Sequence, residues 1–317
     1  MIQVSVIVPN YNHAPFLSRR IETVLQQSFP DFELIILDDC STDSSREVIE
    51  NYRSHPKVST IVYNEKNSGS TFKQWAKGIQ LAKGEWIWIA ESDDWCKPDF
   101  LAVLMEGVSK EKDCVIGFAQ SFCMADEKTI KWQSSHSKPE EYIGGKQFIE
   151  QRLVFGCTIF NASMAIFKRD AALKIPMDYS GYKMAGDWLF WINLAQQGKV
   201  YINGKTLNYF RKTGAGVSAL TYQSGENYYE ELRVLHCIKR DEIIAREYID
   251  KGIFNKYNNF RRRKCQFSTK QIETIESMFV ELYGSKLRFR KMRIRLRLKL
   301  VNQKIRLRLN SVIKLNF

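Results

Sequence analysis

The chain predicts an α/β fold, a parallel sheet covered by helices on both faces, on three observations. Apolar runs fit for strands alternate with segments of helical period through the first hundred residues. The strand runs are nearly continuous in Val, Ile and Leu, as in strands buried on both faces. Three of the four runs lead into polar or acidic residues, at the carboxyl edge where such sheets bind ligands.

Val4-Ser5-Val6-Ile7-Val8-Pro9 reads as the first strand, broken by Pro9 and Asn10. Ala14 to Gln27 reads as a helix, with Phe16, Leu17, Ile21, Val24 and Leu25 at near-helical spacing. Phe32–Leu37 is a second strand ending at Asp38-Asp39, and Ser41-Thr42-Asp43 resembles an N-cap before a helix over Ser44–Tyr52. A third strand, Val58–Tyr63, precedes a helix over Phe72–Ala82. The fourth strand, Trp86–Ala90, runs into Glu91-Ser92-Asp93-Asp94, three carboxylates within four residues.

Burying that charge uncompensated would cost several kcal/mol per ion. Asp93 and Asp94 therefore call for a cation, and hard oxygen ligands suit Mg²⁺ or Mn²⁺. A solvated acidic turn before the next helix is the competing reading.

Later elements are a helix over Leu101–Ser109, a strand over Cys114–Phe122, a loop over Lys131–Gly145 and a strand-like stretch over Phe155–Lys168. A helix opens at Ala185-Gly186-Asp187-Trp188 and runs to Gln197, and Val200–Arg211 reads as strand. From Ser224 to about Val280 the period is helical.

With 317 residues, 44% of them hydrophobic, the chain can hold one large domain and an appendage. Its seven cysteines are scattered with no CxxC pair, which argues against a zinc site and for reduced thiols. No signal peptide is expected from Met1-Ile2-Gln3-Val4-Ser5, and no run of about 20 apolar residues suggests a membrane span.

The net charge of +13 is concentrated at one end. Residues 282–317 hold 12 Lys or Arg and no acid, leaving 36 basic and 35 acidic residues before them. The basic residues of this tail interleave with aliphatic ones, which suits an anionic membrane surface better than nucleic acid or a solvated coil. The alternation from Arg293 to Leu300 has strand period, so the sequence leaves the tail's conformation open.

Over residues 2–215 the chain resembles the family 2 glycosyltransferases, inverting enzymes of the bacterial surface-polysaccharide type. The resemblance rests on Val4–Asn12, Leu37-Asp38-Asp39-Cys40-Ser41-Thr42-Asp43, Ala82-Lys83-Gly84-Glu85 leading to Glu91-Ser92-Asp93-Asp94, and Gly186-Asp187-Trp188, in that order. It implies the GT-A fold, a Rossmann-like nucleotide-binding sheet with helices on both faces, over residues 1–220. The nucleotide-sugar half would cover about 1–100 and the acceptor half 101–220, followed by a helical region over 221–281 and the basic tail. It implies that Pro9, Tyr11 and Asp39 hold the nucleotide base and ribose. Asp93 and Asp94 match the DxD-type element that handles ribose and a diphosphate-bound metal.

Lys73 stands where relatives often have arginine, to meet the diphosphate or solvent, and no histidine follows Tyr209-Phe210-Arg211-Lys212-Thr213 as a third ligand. Asp187, in an apolar setting that tends to raise a carboxylate's pKa, is the expected general base, with Glu91 and Asp178 as alternatives. Trp188 and Trp191 either line the acceptor site or pack in the core.

The implied activity is transfer of one sugar from a nucleotide-diphosphate donor to a glycan or lipid-linked glycan acceptor. The expected location is the cytoplasm, peripheral on the inner membrane face. A non-catalytic nucleotide-sugar or glycan-binding protein is the alternative. A processive synthase would carry Gln-x-x-Arg-Trp and membrane spans, which the sequence lacks.

Overall fold

The structure, a computed structural model, describes residues 2–212, 217–296 and 298. The chain divides after Thr221 into two compact units. In the first, β1 (Val4–Asn10), α1 (Ala14–Leu25), β2 (Phe32–Asp38), α2 (Ser45–Glu50), β3 (Val58–Tyr63), α3 (Thr71–Leu81) and β4 (Trp86–Ile89) alternate as the sequence predicts. Strands β3, β2, β1 and β4 lie in that order, parallel throughout. Every residue of β1, β2 and β4 is buried, which explains their unbroken apolar runs. Asn10 pairs with Asp38 and Ile7 with Ile89, so the strands' polar ends emerge together at one edge.

The sheet continues through β5 (Trp95–Cys96), β6 (Cys114–Met124), β7 (Ile130–Gln133), β8 (Glu140–Gly144), β9 (Ala165–Lys168) and β10 (Lys199–Arg211). Antiparallel β9 joins the halves, pairing β4 on one side and β6 on the other. β10 runs parallel to β6 and delivers Arg211 to the edge where β4 ends. Between them run α4 (Phe100–Ser109), α5 (Gly145–Gln151), α6 (Arg169–Ala172) and α7 (Gly186–Ala195).

Two stretches differ from the sequence reading. Lys131–Gly145, expected as loop, contributes to β7 and supplies all of β8. Both strands are short and mostly exposed, so polar side chains there do not oppose pairing. Of Phe155–Lys168 only β9 is strand; Leu153–Phe155 and Ala162–Met164 are single 3₁₀ turns flanking a loop.

The second unit follows α8 (Val217–Ser224), which crosses the division, with α9 (Glu226–Arg240), α10 (Arg246–Arg263) and α11 (Thr269–Tyr283). Tyr228, Tyr257, Phe260, Phe267 and Phe279 interlock as its aromatic core. A capping box of Ser268 and Gln271 starts α11.

The tail expected to begin at Leu282 does not begin there. Leu282 and Tyr283 are buried residues of α11. Residues 286–296 are helical, with Phe289, Met292 and Leu296 buried and the Phe289 ring 5.1 Å from Tyr257. This part of the basic run therefore belongs to the helical unit. Residues 299–317 lie outside the described residues, as do Arg297 and Thr213.

Candidate active site

Asp93 and Asp94, expected to act as a pair, are placed differently by the chain's turn after β4. Asp94 is buried and both its oxygens are engaged. Oδ2 accepts from Asn161 Nδ2 at 2.5 Å and Ser163 Oγ at 2.6 Å, with Arg20 Nη2 at 3.8 Å. Oδ1 accepts from the Arg211 backbone N–H at 2.9 Å. Asp93 is half-buried, and its carboxylate has no side-chain hydrogen bond or close ion pair among the described residues, only its own backbone N–H and the more distant charges of Arg20 and Arg211.

Burial and the neighbouring Asp93 charge push Asp94 up to about 7. Burial likewise raises Asp93, with Arg20 and Arg211 opposing it. Glu91 turns its carboxyl beneath α3 to accept from Trp75 Nε1 at 2.8 Å, and burial pushes it up to about 8. Asp94 is thus a clasp between segments, and Asp93 is the less engaged carboxylate of the pair.

On the nucleotide side, Asn10 donates to Asp38 and Ser41, fixing the ends of β1 and β2 against each other. Pro9 is buried in β1, and Tyr11 just beyond is 46% exposed. Asp39 is 4% exposed and accepts from Asn64 Nδ2, Ser68 N and Oγ, and Gln74 Nε2. These four donors match the roughly four lone-pair sites of a carboxylate, so Asp39 anchors the loop before α3. Lys73 is exposed at the start of α3, its Nζ donating to Ser68 O at 3.1 Å. His13 Nδ1 lies 2.8 Å from Ser92 Oγ, and burial lowers its pKa from the usual imidazole value.

Asp187 sits half-buried in the first turn of α7, its Oδ1 accepting from the Trp188 backbone N–H at 2.7 Å. Its Oδ2 is 3.9 Å from Cys157 Sγ. A Cβ at Gly186 would collide with the Tyr179 carbonyl and the Phe72 ring, so only glycine lets α7 start this close. The segment from Cys157 to Ser163 therefore touches Asp187 at one end and Asp94 at the other.

Trp188 and Trp191 do not line an acceptor site. Trp188 is 2% exposed and donates to Leu153 O, while Trp191 is fully buried against Trp75, Phe167 and Phe190. Their ring area anchors α7 and fixes the position of Asp187.

The comparisons with known proteins agree with this architecture. The family model "Glycosyl transferase family 2" matches residues 5–175. The chain belongs to that family. It is 27% identical over 240 residues to the putative teichuronic acid biosynthesis glycosyltransferase TuaG of Bacillus subtilis (strain 168), covering 74% of this chain and 90% of that one. The S. aureus TarS 1-349 structure in complex with UDP-GlcNAc superposes with a TM-score of 0.68 at 22% identity, covering 89% and 80%. A mannosyltransferase from Pyrobaculum calidifontis, solved with GDP-Man and Mn²⁺, gives 0.53 at 14% identity, covering 92% and 83%. These likenesses place the chain in the GT-A fold.

For this glycosyltransferase the sequence reading missed two residues, Arg20 and Arg211. Arg20 is fully buried, donating from Nε to Glu91 O at 2.8 Å beside Asp94. Its signal was legible: residue 20 falls on the buried stripe of α1 with Leu17, Ile21 and Val24, and a charge on such a stripe needs a partner. Arg211 covers Phe16 and Trp95 and donates to Asp93 O at 3.3 Å, closing the turn from β10.

These roles separate the two aspartates experimentally. Asp94→Ala leaves Arg20 buried without its counter-charge and should cost about 3–5 kcal/mol of stability. Asp93→Asn breaks no side-chain hydrogen bond or close ion pair and should cost clearly less, about 1 kcal/mol or under. Urea unfolding of both variants checks this; equal loss in both would overturn the division.

Proposed function

We propose that this glycosyltransferase moves one sugar, with inversion at the anomeric carbon, from a nucleotide-diphosphate sugar to a hydroxyl of a glycan or lipid-linked glycan. One observation carries the reading. The same short segment, residues 157–163, touches the half-buried Asp187 through Cys157 and holds Asp94, the neighbour of the half-buried Asp93, at the carboxyl edge of a nucleotide-type sheet. Family membership favours catalysis over a binding-only role.

The donor base is received by Pro9, Tyr11 and Asp39, the last trading one of its present donors for the base or ribose. Lys73 reaches the diphosphate from the start of α3. Asp187 takes the proton from the acceptor hydroxyl as its oxygen attacks the anomeric carbon and the bond to the diphosphate oxygen breaks. One displacement needs one base and no covalent nucleophile.

Asp93 fits Mg²⁺ or Mn²⁺, because it is a largely desolvated carboxylate whose pKa burial still raises despite the charges of Arg20 and Arg211. Among the described residues no cluster of three His, Cys, Asp or Glu could complete a protein cage. That fits ions that take one or two carboxylates and fill the remaining positions with phosphate and water. Such an ion supplies charge neutralisation on the leaving diphosphate. Asp94 and Arg20 hold the turn carrying Asp93.

The helix over 286–296 supports association with an anionic membrane surface, on the cytoplasmic face where lipid-linked acceptors are built. Its inner face is buried, yet Leu287 and Ile294 are 63% and 48% exposed, followed by Leu298 at 59%. Lys286, Arg290, Lys291 and Arg295 accompany them, each contributing about 1 kcal/mol near such a surface. No helix among the described residues is long and apolar enough to cross a membrane.

Asp187→Asn should lower turnover by about 100-fold or more with nucleotide-sugar affinity preserved. Normal turnover would move the base elsewhere. In co-sedimentation with vesicles containing anionic lipid, Leu287→Glu with Ile294→Glu should release the protein. Undiminished binding would remove this helix from the membrane reading.

A further inference from the structure

We propose that Trp132 and Phe160 form the acceptor subsite, and that it takes a neutral pyranose ring. The inference rests on the reading of Asp187 as the base and deepens it by naming the acceptor's chemistry.

Trp132 lies on β7 opposite Cys123 of β6, and Phe210 of β10 is the partner of Cys123 on its other side. The three side by side put Trp132 over Phe210, with ring centroids 5.5 Å apart. Phe160 stands edge-on to Trp132 at 5.0 Å. Phe210 is nearly covered, but Trp132 is 36% and Phe160 45% exposed, with Ile130 beside them at 52%. Among the described residues this is the one aromatic pair whose two rings are both exposed. Covering Phe210 accounts for Trp132 alone. Phe160 gains only one ring contact and leaves its own surface in water, so packing does not explain it.

The position explains it. Asn161, the next residue, donates to Asp94, and Cys157, three residues earlier, lies 3.9 Å from the Asp187 carboxylate. Three Cα steps of 3.8 Å place the Phe160 backbone within about 11 Å of Cys157. On the other flank, Phe210 is followed by Arg211, which touches the Asp93 backbone. The aromatic surface is thus continuous with the cleft between the base and the donor's diphosphate, where the acceptor has to lie.

Its chemistry selects the ligand. A register shift lies between Ile130 and Trp132 on β7, so Trp132 shares the face of Cys123 and Ile130 that of Met124. Lys131 Nζ is bound to Lys212 O at 2.7 Å, and Gln133 to Thr206. The exposed Trp132 and Phe160 rings present an aromatic surface, suited to the C–H face of a pyranose and not to the repeating anions of an alditol-phosphate chain.

Saturation-transfer NMR with methyl pyranosides and their neutral disaccharides as probes, against ribitol 5-phosphate, tests this in the presence of nucleoside diphosphate. Pyranoside ring protons should be saturated by the wild type and by Asp187→Asn. Trp132→Ala and Phe160→Ala should each weaken that binding about five- to tenfold with nucleoside diphosphate affinity unchanged. Phe160 is exposed enough that its loss leaves the fold intact, so it decides the matter if Trp132→Ala is unstable. Saturation of ribitol phosphate in preference to the pyranosides, no pyranoside binding, or binding unchanged in Phe160→Ala would overturn the proposal. Normal turnover by Asp187→Asn with the Phe160 effect intact would remove the base assignment and leave the subsite standing.

Discussion

The site depends on how the fold manages the acidic end of β4. Glu91, Asp93 and Asp94 emerge within four residues from a fully buried strand, and three unscreened carboxylates there would be untenable. The structure gives each a different environment. Glu91 is turned inward to Trp75, and burial raises its pKa far enough that it stays largely protonated at neutral pH. Asp94 is set against Arg20 and tied by hydrogen bonds to Asn161, Ser163 and Arg211. Asp93 is left half-buried, with no side-chain bond of the kind that holds Asp94. Breaking a buried pair costs about 3–5 kcal/mol against a total stability of about 5–15 kcal/mol, so Asp94 bears on both fold and site.

That clasp also couples the two halves of the first unit. Arg20 comes from α1, Asp94 from the end of β4, Asn161 and Ser163 from the segment before β9, and Arg211 from the end of β10. The segment holding Asp94 also reaches Asp187 through Cys157. Elements far apart in sequence are thereby held to one another by a few polar contacts over the sheet. The all-buried α7 gives Asp187 its fixed position, since Trp188, Phe190 and Trp191 leave the helix no room to shift.

The first four strands were legible because their signals are local. Strands β1 to β4 are continuous apolar runs whose ends carry the polar residues, and pattern alone orders them. What the sequence concealed were long-range partners. Arg20 and Asp94 are 74 positions apart in the sequence, and nothing local pairs them. Trp188 and Trp191 were ambiguous because an aromatic residue suits a sugar or a core equally. The run Trp-Leu-Phe-Trp-Ile has no polar face, the mark of a helix buried all round, and that favoured the core. Strands β7 and β8 hid in a polar stretch because edge strands need no apolar alternation on both faces. The helix over 286–296 was obscured because the alternation of basic and aliphatic residues in the tail matched strand period better than helix period.

The most direct measurement is Mn²⁺ binding by water-proton relaxation in the presence of nucleoside diphosphate, comparing wild type, Asp93→Asn and Asp187→Asn. If Asp93 is the carboxylate that faces the diphosphate-bound ion, enhancement appears in the wild type, persists in Asp187→Asn and is lost in Asp93→Asn. Enhancement that survives in Asp93→Asn, or is absent from the wild type, would contradict this division of labour at the end of β4.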